Sequence, residues 1–381
     1  MKTRNIFTEF FESEKTGGFI LISCTILSLL IANSGWSQAY ISFWHASIGG
    51  SSIEHWVNDG LMAIFFLLIG LELEREIYQG ELTNLRNASF PIFGALGGML
   101  VPAGIYLLFN MNTSAQRGFG IPMATDIAFA IGILSLAGNR VPAGLKIFLT
   151  ALAVIDDLGA ILVIAFFYSD GIVLLNLGIS LGIFVALFIL NRFRVHMLWP
   201  YLLGGIAMWY FMLHSGVHAT ITGVMLAFVI PFGDGGERSP SHQLQHFLHR
   251  PVSFLILPIF ALANTAILIQ PDWMNGLYTG SSIGIMLGLL IGKPIGIVLF
   301  CAMAILSGMS TMPAGLKWRH LVGAGLLAGI GFTMSIFITL LAFSDQQQIV
   351  DSKIAILASS LLAACAGLFV LKATYRRNEK S

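Results

Sequence analysis

The run Ala153-Val154-Ile155-Asp156-Asp157-Leu158-Gly159 sets two neighbouring carboxylates in a stretch that carries no other charge from Ile147 to Phe167. About 20 apolar residues in a helix, at 1.5 Å rise each, cross a hydrocarbon core of about 30 Å, so the stretch reads as a membrane-spanning helix. An acid at the centre of such a helix costs roughly 2.5 to 3.5 kcal/mol of insertion free energy. A second acid beside it raises the cost, because like charges oppose one another's ionisation. A chain that keeps such a pair is expected to use it.

The rest of the chain suits the same solvent. Of its 381 residues, 56% are hydrophobic and 10% charged, whereas soluble domains carry about 25% charged residues. This is the composition of a polytopic, all-α membrane protein. A net charge of +1 leaves no basic face for nucleic acid. Cys24, Cys301 and Cys365 lie far apart in apolar runs and read as small packing residues rather than as a disulfide or metal site. Glu9, Glu12 and Glu14 precede the first apolar run, so no cleavable signal peptide is expected. The first 15 residues place Ile6, Phe7, Phe10 and Phe11 on one face, which reads either as a short interfacial helix or as a solvated tail.

About twelve apolar spans follow, at 16–34, 58–77, 88–109, 121–138, 143–168, 172–190, 198–213, 216–232, 251–270, 281–307, 320–343 and 352–372. The loops are short, so residues 1–381 read as one integral domain. With this count, all but three of the 20 Lys and Arg residues fall on the side that holds both termini; Arg117 and Lys353 lie opposite, and Lys293 falls within a span. The positive-inside rule makes that side cytoplasmic. The external segment 35–56 has no Lys or Arg and contains Gly49-Gly50, which is compatible with a small β-hairpin used for dimerisation or with an irregular loop.

Asp126, Asp156, Asp157 and Lys293 are the clearest ionisable groups inside spans, with Asp59 near the outer end of the second. Left unpaired in lipid, four such charges would cost on the order of 10 kcal/mol. They are therefore expected to converge, as a cluster of three acids and one base that attracts a cation or protons. Neighbours on a helix point about 100° apart, so one carboxylate of the pair can face an ion cavity while the other meets Lys293. Carboxylate oxygens suit a hard cation and accept protons equally, so Na⁺ and H⁺ would compete for them. The fourth span opens Gly118-Phe119-Gly120-Ile121-Pro122, and the eleventh carries Gly323, Gly325, Gly329 and Gly331. Both look interruptible, and broken helices in the two halves of a transporter point to its binding site. Packing also accounts for many of these glycines. Gly284, Gly288, Gly292 and Gly296, at four-residue spacing, read as a smooth packing face, and Pro294 is expected to kink the helix beside Lys293. At the inner end of the second span Glu72, Glu74, Arg75 and Glu76 form a charged patch; His246 and His249 share a helical face that reads as a pH-responsive element or as a solvated helix end.

The adjacency of the two acids argues against an intramembrane aspartyl protease, and no repeated pore loop suggests a channel. Ile155-Asp156-Asp157-Leu158-Gly159, Ala124-Thr125-Asp126-Ile127, Gly292-Lys293-Pro294, Gly329-Ile330-Gly331-Phe332-Thr333-Met334-Ser335, Asn58-Asp59-Gly60-Leu61-Met62 and Gly70-Leu71-Glu72 together resemble the NhaA-type sodium/proton antiporters of bacterial inner membranes, over residues 6 to 372. That family is itself a known example of inverted repeats with broken helices. The resemblance implies twelve helices, with spans 3–5 and 10–12 forming an inverted-repeat core, spans 1–2 and 6–9 a scaffold, and the unwound centres of spans 4 and 11 crossing at the site around Gly329 and Gly331. It implies a secondary transporter rather than an enzyme, without a cofactor. Na⁺ and Li⁺ would leave in exchange for more entering H⁺, serving sodium, pH and volume homeostasis. Asp157 and Asp156 would take cation or proton near Thr125, Lys293 would pair with Asp156, and Lys293 with Asp126 would balance the half-helix dipoles. Glu72, Arg75, Glu76, His246 and His249 would form a cytoplasmic funnel that activates transport at alkaline pH. The sequence departs from the family pattern there, with Gln245 at a position often Glu and Glu74 at one often basic.

Overall fold

The computed structural model describes residues 2–80, 83, 85–138, 141–169, 171–313 and 315–378, and leaves undescribed the side chains of 2–15, 85–87 and 375–378. Helix dominates, because in an apolar solvent the backbone N–H and C=O groups can be satisfied only within the chain. In order the elements are α1 (Lys2–Ala32), α2 (Ser37–His45), β1 (Ser47–Ile48), β2 (Ser51–Ser52), α3 (Ile53–Tyr78), α4 (Leu85–Asn110), a 3-10 helix (Ser114–Met123), α5 (Ile127–Ser135), α6 (Ala143–Phe167), α7 (Leu174–Arg192), α8 (Leu198–Leu213), α9 (Ile221–Ala227), α10 (Pro240–Asn264), α11 (Trp273–Gly276), α12 (Gly280–Leu306), α13 (Trp318–Ala328), α14 (Phe332–Ala342) and α15 (Gln346–Asn378).

Among the described residues seven helices are long and apolar enough to cross a membrane, and three bent pairs bring the number to ten. The chain is an all-α, multi-pass membrane protein. The stretch at 198–213 is the 16-residue α8. The one at 216–232 holds only α9 as regular α-helix. Around α9 the amides of Ile221, Thr222 and Gly223 bond to carbonyls three residues back, as do those of Val229 and Ile230. Such tighter turns shorten the α-helical part while keeping the backbone satisfied. Helix α1 runs unbroken from Lys2, so residues 2–15 share a helix with the first apolar run. The side chains on which their amphipathic reading rests lie outside the described residues.

The fourth and eleventh stretches are broken, as their Gly and Pro content predicts. The 3-10 helix meets α5 at 42°, and α13 meets α14 at 47°. Segment 35–56 holds a helix that the sequence reading lacked, α2, and a hairpin pairing Ser47 with Ser52 and Ile48 with Ser51. Gly49 and Gly50, at φ 64° and 93°, supply the two-residue turn that favours residues without a Cβ. Trp56 Nε1 donates to the Ile48 carbonyl at 2.8 Å and ties β1 to α3.

The polypeptide forms two compact units. One comprises Met1–Ile26, Asn84–Ala160 and Ile267–Ser381. In it, the α12 glycines press against α4: a Cβ at Gly284 would lie 2.8 Å from Tyr106 Cδ2, one at Gly292 would lie 3.0 Å from Pro102 Cα, and one at Gly296 would run into the Gly97 carbonyl. A π-helical turn, Gly288–Gly292, ends two residues before Pro294. The widened turn eases the clash that a proline ring makes with the carbonyl four residues earlier.

The other unit comprises Leu27–Thr83 and Ile161–Ala266. Its α10 repeats the device, with a π-helical turn at Val252–Ile256 ending two residues before Pro258. Here α3 and α9 cross closely: a Cβ at Gly70 would lie 2.6 Å from Ala227 Cβ, and one at Gly223 would lie 2.7 Å from the Leu67 amide nitrogen.

Overpacking at such a crossing costs about 1 to 3 kcal/mol. Gly296→Leu is therefore expected to lower the thermal midpoint of the detergent-solubilised protein by several degrees. Gly104→Ala, on the same α4–α12 pair but with nothing within 4 Å of the new methyl group, is expected to leave it unchanged. Differential scanning fluorimetry distinguishes the two.

Candidate functional site

The 3-10 helix, with Pro122 inside it, ends at Met123, and the backbone runs extended at Ala124 and Asp126. The second interruption lies at Gly329-Ile330-Gly331. A Cβ at Gly329 would strike the Leu289 carbonyl, in the π-helical turn of α12, and one at Gly331 would strike Ser335 Oγ. Only glycine permits that approach. The two unwound stretches then join each other: the Asp126 amide donates to the Ile330 carbonyl at 2.7 Å, and Ser335 Oγ donates to the Ile121 carbonyl at 2.7 Å.

Each broken helix exposes amide groups at one cut end and carbonyl groups at the other. Asp126 serves the amide ends of both. Its Oδ1 accepts from the Phe129 amide at 3.0 Å, capping α5. Its Oδ2 accepts from the Thr333 amide at 3.1 Å and from Thr333 Oγ1 at 2.5 Å, closing the first turn of α14. A carboxylate is also the charge that two helix N-termini attract.

Lys293 serves a carbonyl end. Its ammonium donates to the Met123 carbonyl that finishes the 3-10 helix, to Thr125 Oγ1 at 2.5 Å and to Asp156 Oδ2 at 2.8 Å. An ammonium has three protons, and each has an acceptor. The Thr125 hydroxyl lies 2.8 Å from Asp156 Oδ2 and 3.0 Å from the carbonyl of Ala328, the last residue of α13, and its single proton can serve either. A carbonyl end of each broken helix is therefore met, by Lys293 or by Thr125.

All of these groups are sealed: Lys293 and Thr125 are 0% exposed, Asp156 and Asp157 1%, and Asp126 2%. Asp156 Oδ1 accepts no hydrogen bond among the described residues. Asp157 adds a second negative charge to the field at Lys293. Fully ionised, three carboxylates and one ammonium leave an excess of two negative charges, which a monovalent cation or protons can offset.

A family model described as Na⁺/H⁺ antiporter 1 matches residues 8–371. The chain belongs to that family. It is 61% identical to the Na⁺/H⁺ antiporter NhaA 1 of Flavobacterium johnsoniae over 381 residues, all of both chains. It is 63% identical to the Na⁺/H⁺ antiporter NhaA of Cytophaga hutchinsonii over 376 residues, 99% of this chain and 97% of that one. The NhaA antiporter of Dechloromonas aromatica is 58% identical over 382 residues, covering 99% and 98%. Membership makes this a secondary transporter, not an enzyme.

The residues expected to respond to pH fall in the unit that holds α3 and α10. His249 Nδ1 lies 3.9 Å from Glu72 Oε1, both side chains partly exposed. Arg75 lies within electrostatic range of His242, and His246 within range of both His242 and His249. A contact absent from the sequence reading joins the same elements: Glu74, 4% exposed, accepts from Ser241 Oγ at 2.9 Å. Also missed were the backbone acceptors on Met123 and Ala328, for which no side-chain signal exists, and Thr333. The position of Thr333 just after Gly331-Phe332, where a new helix must start, could have pointed to it.

Removing one member of a buried ion pair costs about 3 to 5 kcal/mol, because its partner is left charged without compensation. Lys293→Ala is expected to destabilise the protein by that amount in detergent. Lys293→Ala/Asp156→Ala is expected to recover more than half of the loss, as read from thermal unfolding.

Proposed function

We propose that this chain exports Na⁺ and Li⁺ across the bacterial inner membrane in exchange for entering H⁺, with Asp157 as the obligate ion ligand and Asp156 as a proton carrier tied to Lys293. The observation that carries the reading is the sealed set Lys293–Asp156–Thr125 beside Asp157, at the crossing of two broken helices. Hard oxygens that bind either cation or proton make the two competitors. When Na⁺ occupies Asp157 and Asp156, their protons must have left, and protonation expels the ion in turn. Lys293 holds Asp156 while no cation is bound. Thr125 lends a hydroxyl oxygen, and Asp126 and Lys293 balance the half-helix dipoles while the ion moves.

Burial at or below 2% means that ions reach these carboxylates only when covering segments move, which supports alternating access. In this reading spans 3–5 and 10–12 are inverted repeats forming the core, spans 1–2 and 6–9 the scaffold, and the termini are cytoplasmic. The Glu72–His249 approach, with Arg75, Glu76 and His246, supports activation at alkaline pH. The hairpin in segment 35–56 offers a surface for a homodimer in the bilayer. More protons entering than cations leaving makes the cycle electrogenic, and one net charge moved through 100 mV is worth about 2.3 kcal/mol.

In everted membrane vesicles Na⁺ or Li⁺ added at alkaline pH should discharge a preformed proton gradient. Asp157→Asn should reduce that response to background, and Asp156→Asn should weaken it by at least about tenfold, on the scale of losing one charged ligand. Full Na⁺-driven proton movement in Asp157→Asn would refute the site. No response of the wild type to Na⁺ between pH 6.5 and 9 would refute the function.

A further inference from the structure

Helix α6 carries one more polar atom on the face of Asp157. Thr150 precedes Asp157 by seven residues, two turns or about 10 Å along the axis, and is rotated from it by only about 20°. Its Oγ1 is buried and has no hydrogen-bond partner among the described residues. Threonines inside helices ordinarily return their hydroxyl proton to the carbonyl four residues back. In this chain Thr25, Thr265, Thr339 and Thr374 all do so, at 2.7 to 2.8 Å. Thr150 does not use the equivalent Lys146 carbonyl. Thr222 Oγ1 also has no partner, but α9 bears no carboxylate. Between Thr150 and Asp157 the shared face holds only Ala153 and Val154, neither of which can bind a cation. The N-terminal end of α6, where Thr150 lies, is on the Lys- and Arg-rich side of the chain.

We propose that the Thr150 hydroxyl is a staging ligand for the transported cation on its cytoplasmic approach to Asp157. A hydroxyl oxygen suits a hard monovalent cation that is shedding water, and this one is committed to no partner among the described residues. The proposal rests on Asp157 being the ion ligand, and adds that cations reach Asp157 along this face of α6. Thr150 would thus set apparent affinity from one side of the membrane without taking part in proton exchange.

The test measures Na⁺- and Li⁺-driven proton movement with the cation presented to the cytoplasmic face (everted vesicles) and to the external face (right-side-out vesicles), always beside the wild type. Thr150→Val keeps the shape and removes the hydroxyl. It is expected to raise the cytoplasmic-side KM for both ions by about three- to tenfold, leaving the maximal rate within about twofold and the external-side KM unchanged. Thr150→Ser is expected to restore the wild-type KM. An unchanged cytoplasmic-side KM in Thr150→Val would overturn the proposal. So would an equal rise on both sides, or a Thr150→Ser variant as impaired as Thr150→Val, since either marks a packing role. Failure of the antiport reading itself would show separately, as a wild type silent to Na⁺.

Discussion

An ammonium group shielded from all solvent persists only where each of its protons finds an acceptor, and Lys293 finds them on a broken helix end, a threonine and a carboxylate from another helix. Much of the architecture around it serves to bring those acceptors within reach. The chain runs extended past Met123 and the Asp126 amide turns to Ile330, so the Met123 carbonyl is left for the lysine. Gly329 lets the second broken helix approach the Leu289 carbonyl of α12. The α12 glycines seat the helix bearing Lys293 on α4, and the π-helical turn before Pro294 relieves the ring clash beside the lysine. None of these devices is itself charged, yet each is required for the charges to meet.

The two units handle carboxylates differently. Around α5 and α14, Asp126 is stabilised by backbone amides and one hydroxyl. At the C-terminal end of α3, Glu74 meets the first turn of α10 through Ser241, while Glu72 faces His249 at the looser separation of 3.9 Å. Sealed, fully bonded groups resist rearrangement. A partly exposed pair near 4 Å depends on the protonation of its histidine, and is worth less than a fully bonded one.

Much of this was legible from sequence because charges and helix breakers are conspicuous in an apolar chain. Asp126, Asp156, Asp157 and Lys293 stood out by cost, and the interruptions at 122–126 and 329–331 by Pro and Gly. The membrane class followed from composition. What was illegible has physical reasons. The carbonyls of Met123 and Ala328 are backbone atoms, which every residue carries. Ser241 is distant in sequence from Glu74, and no local pattern encodes that meeting. Gly49-Gly50 suits loops as well as hairpins, and only the φ angles distinguish the two. The π-helical turns leave only a proline as their trace, and the short α9 differs from a full span by hydrogen-bond length rather than by hydropathy.

Asp126 is a shared fastening as well as a charge. One carboxylate, using one oxygen for each, holds the starts of α5 and α14, and its own amide is bonded to Ile330. Force applied to either half-helix is transmitted to the other through this residue, alongside the Ser335–Ile121 bond. The crossing therefore behaves as a rivet: the half-helices can be carried along or tilted as a pair, but they cannot slide past one another without breaking three buried hydrogen bonds at one residue.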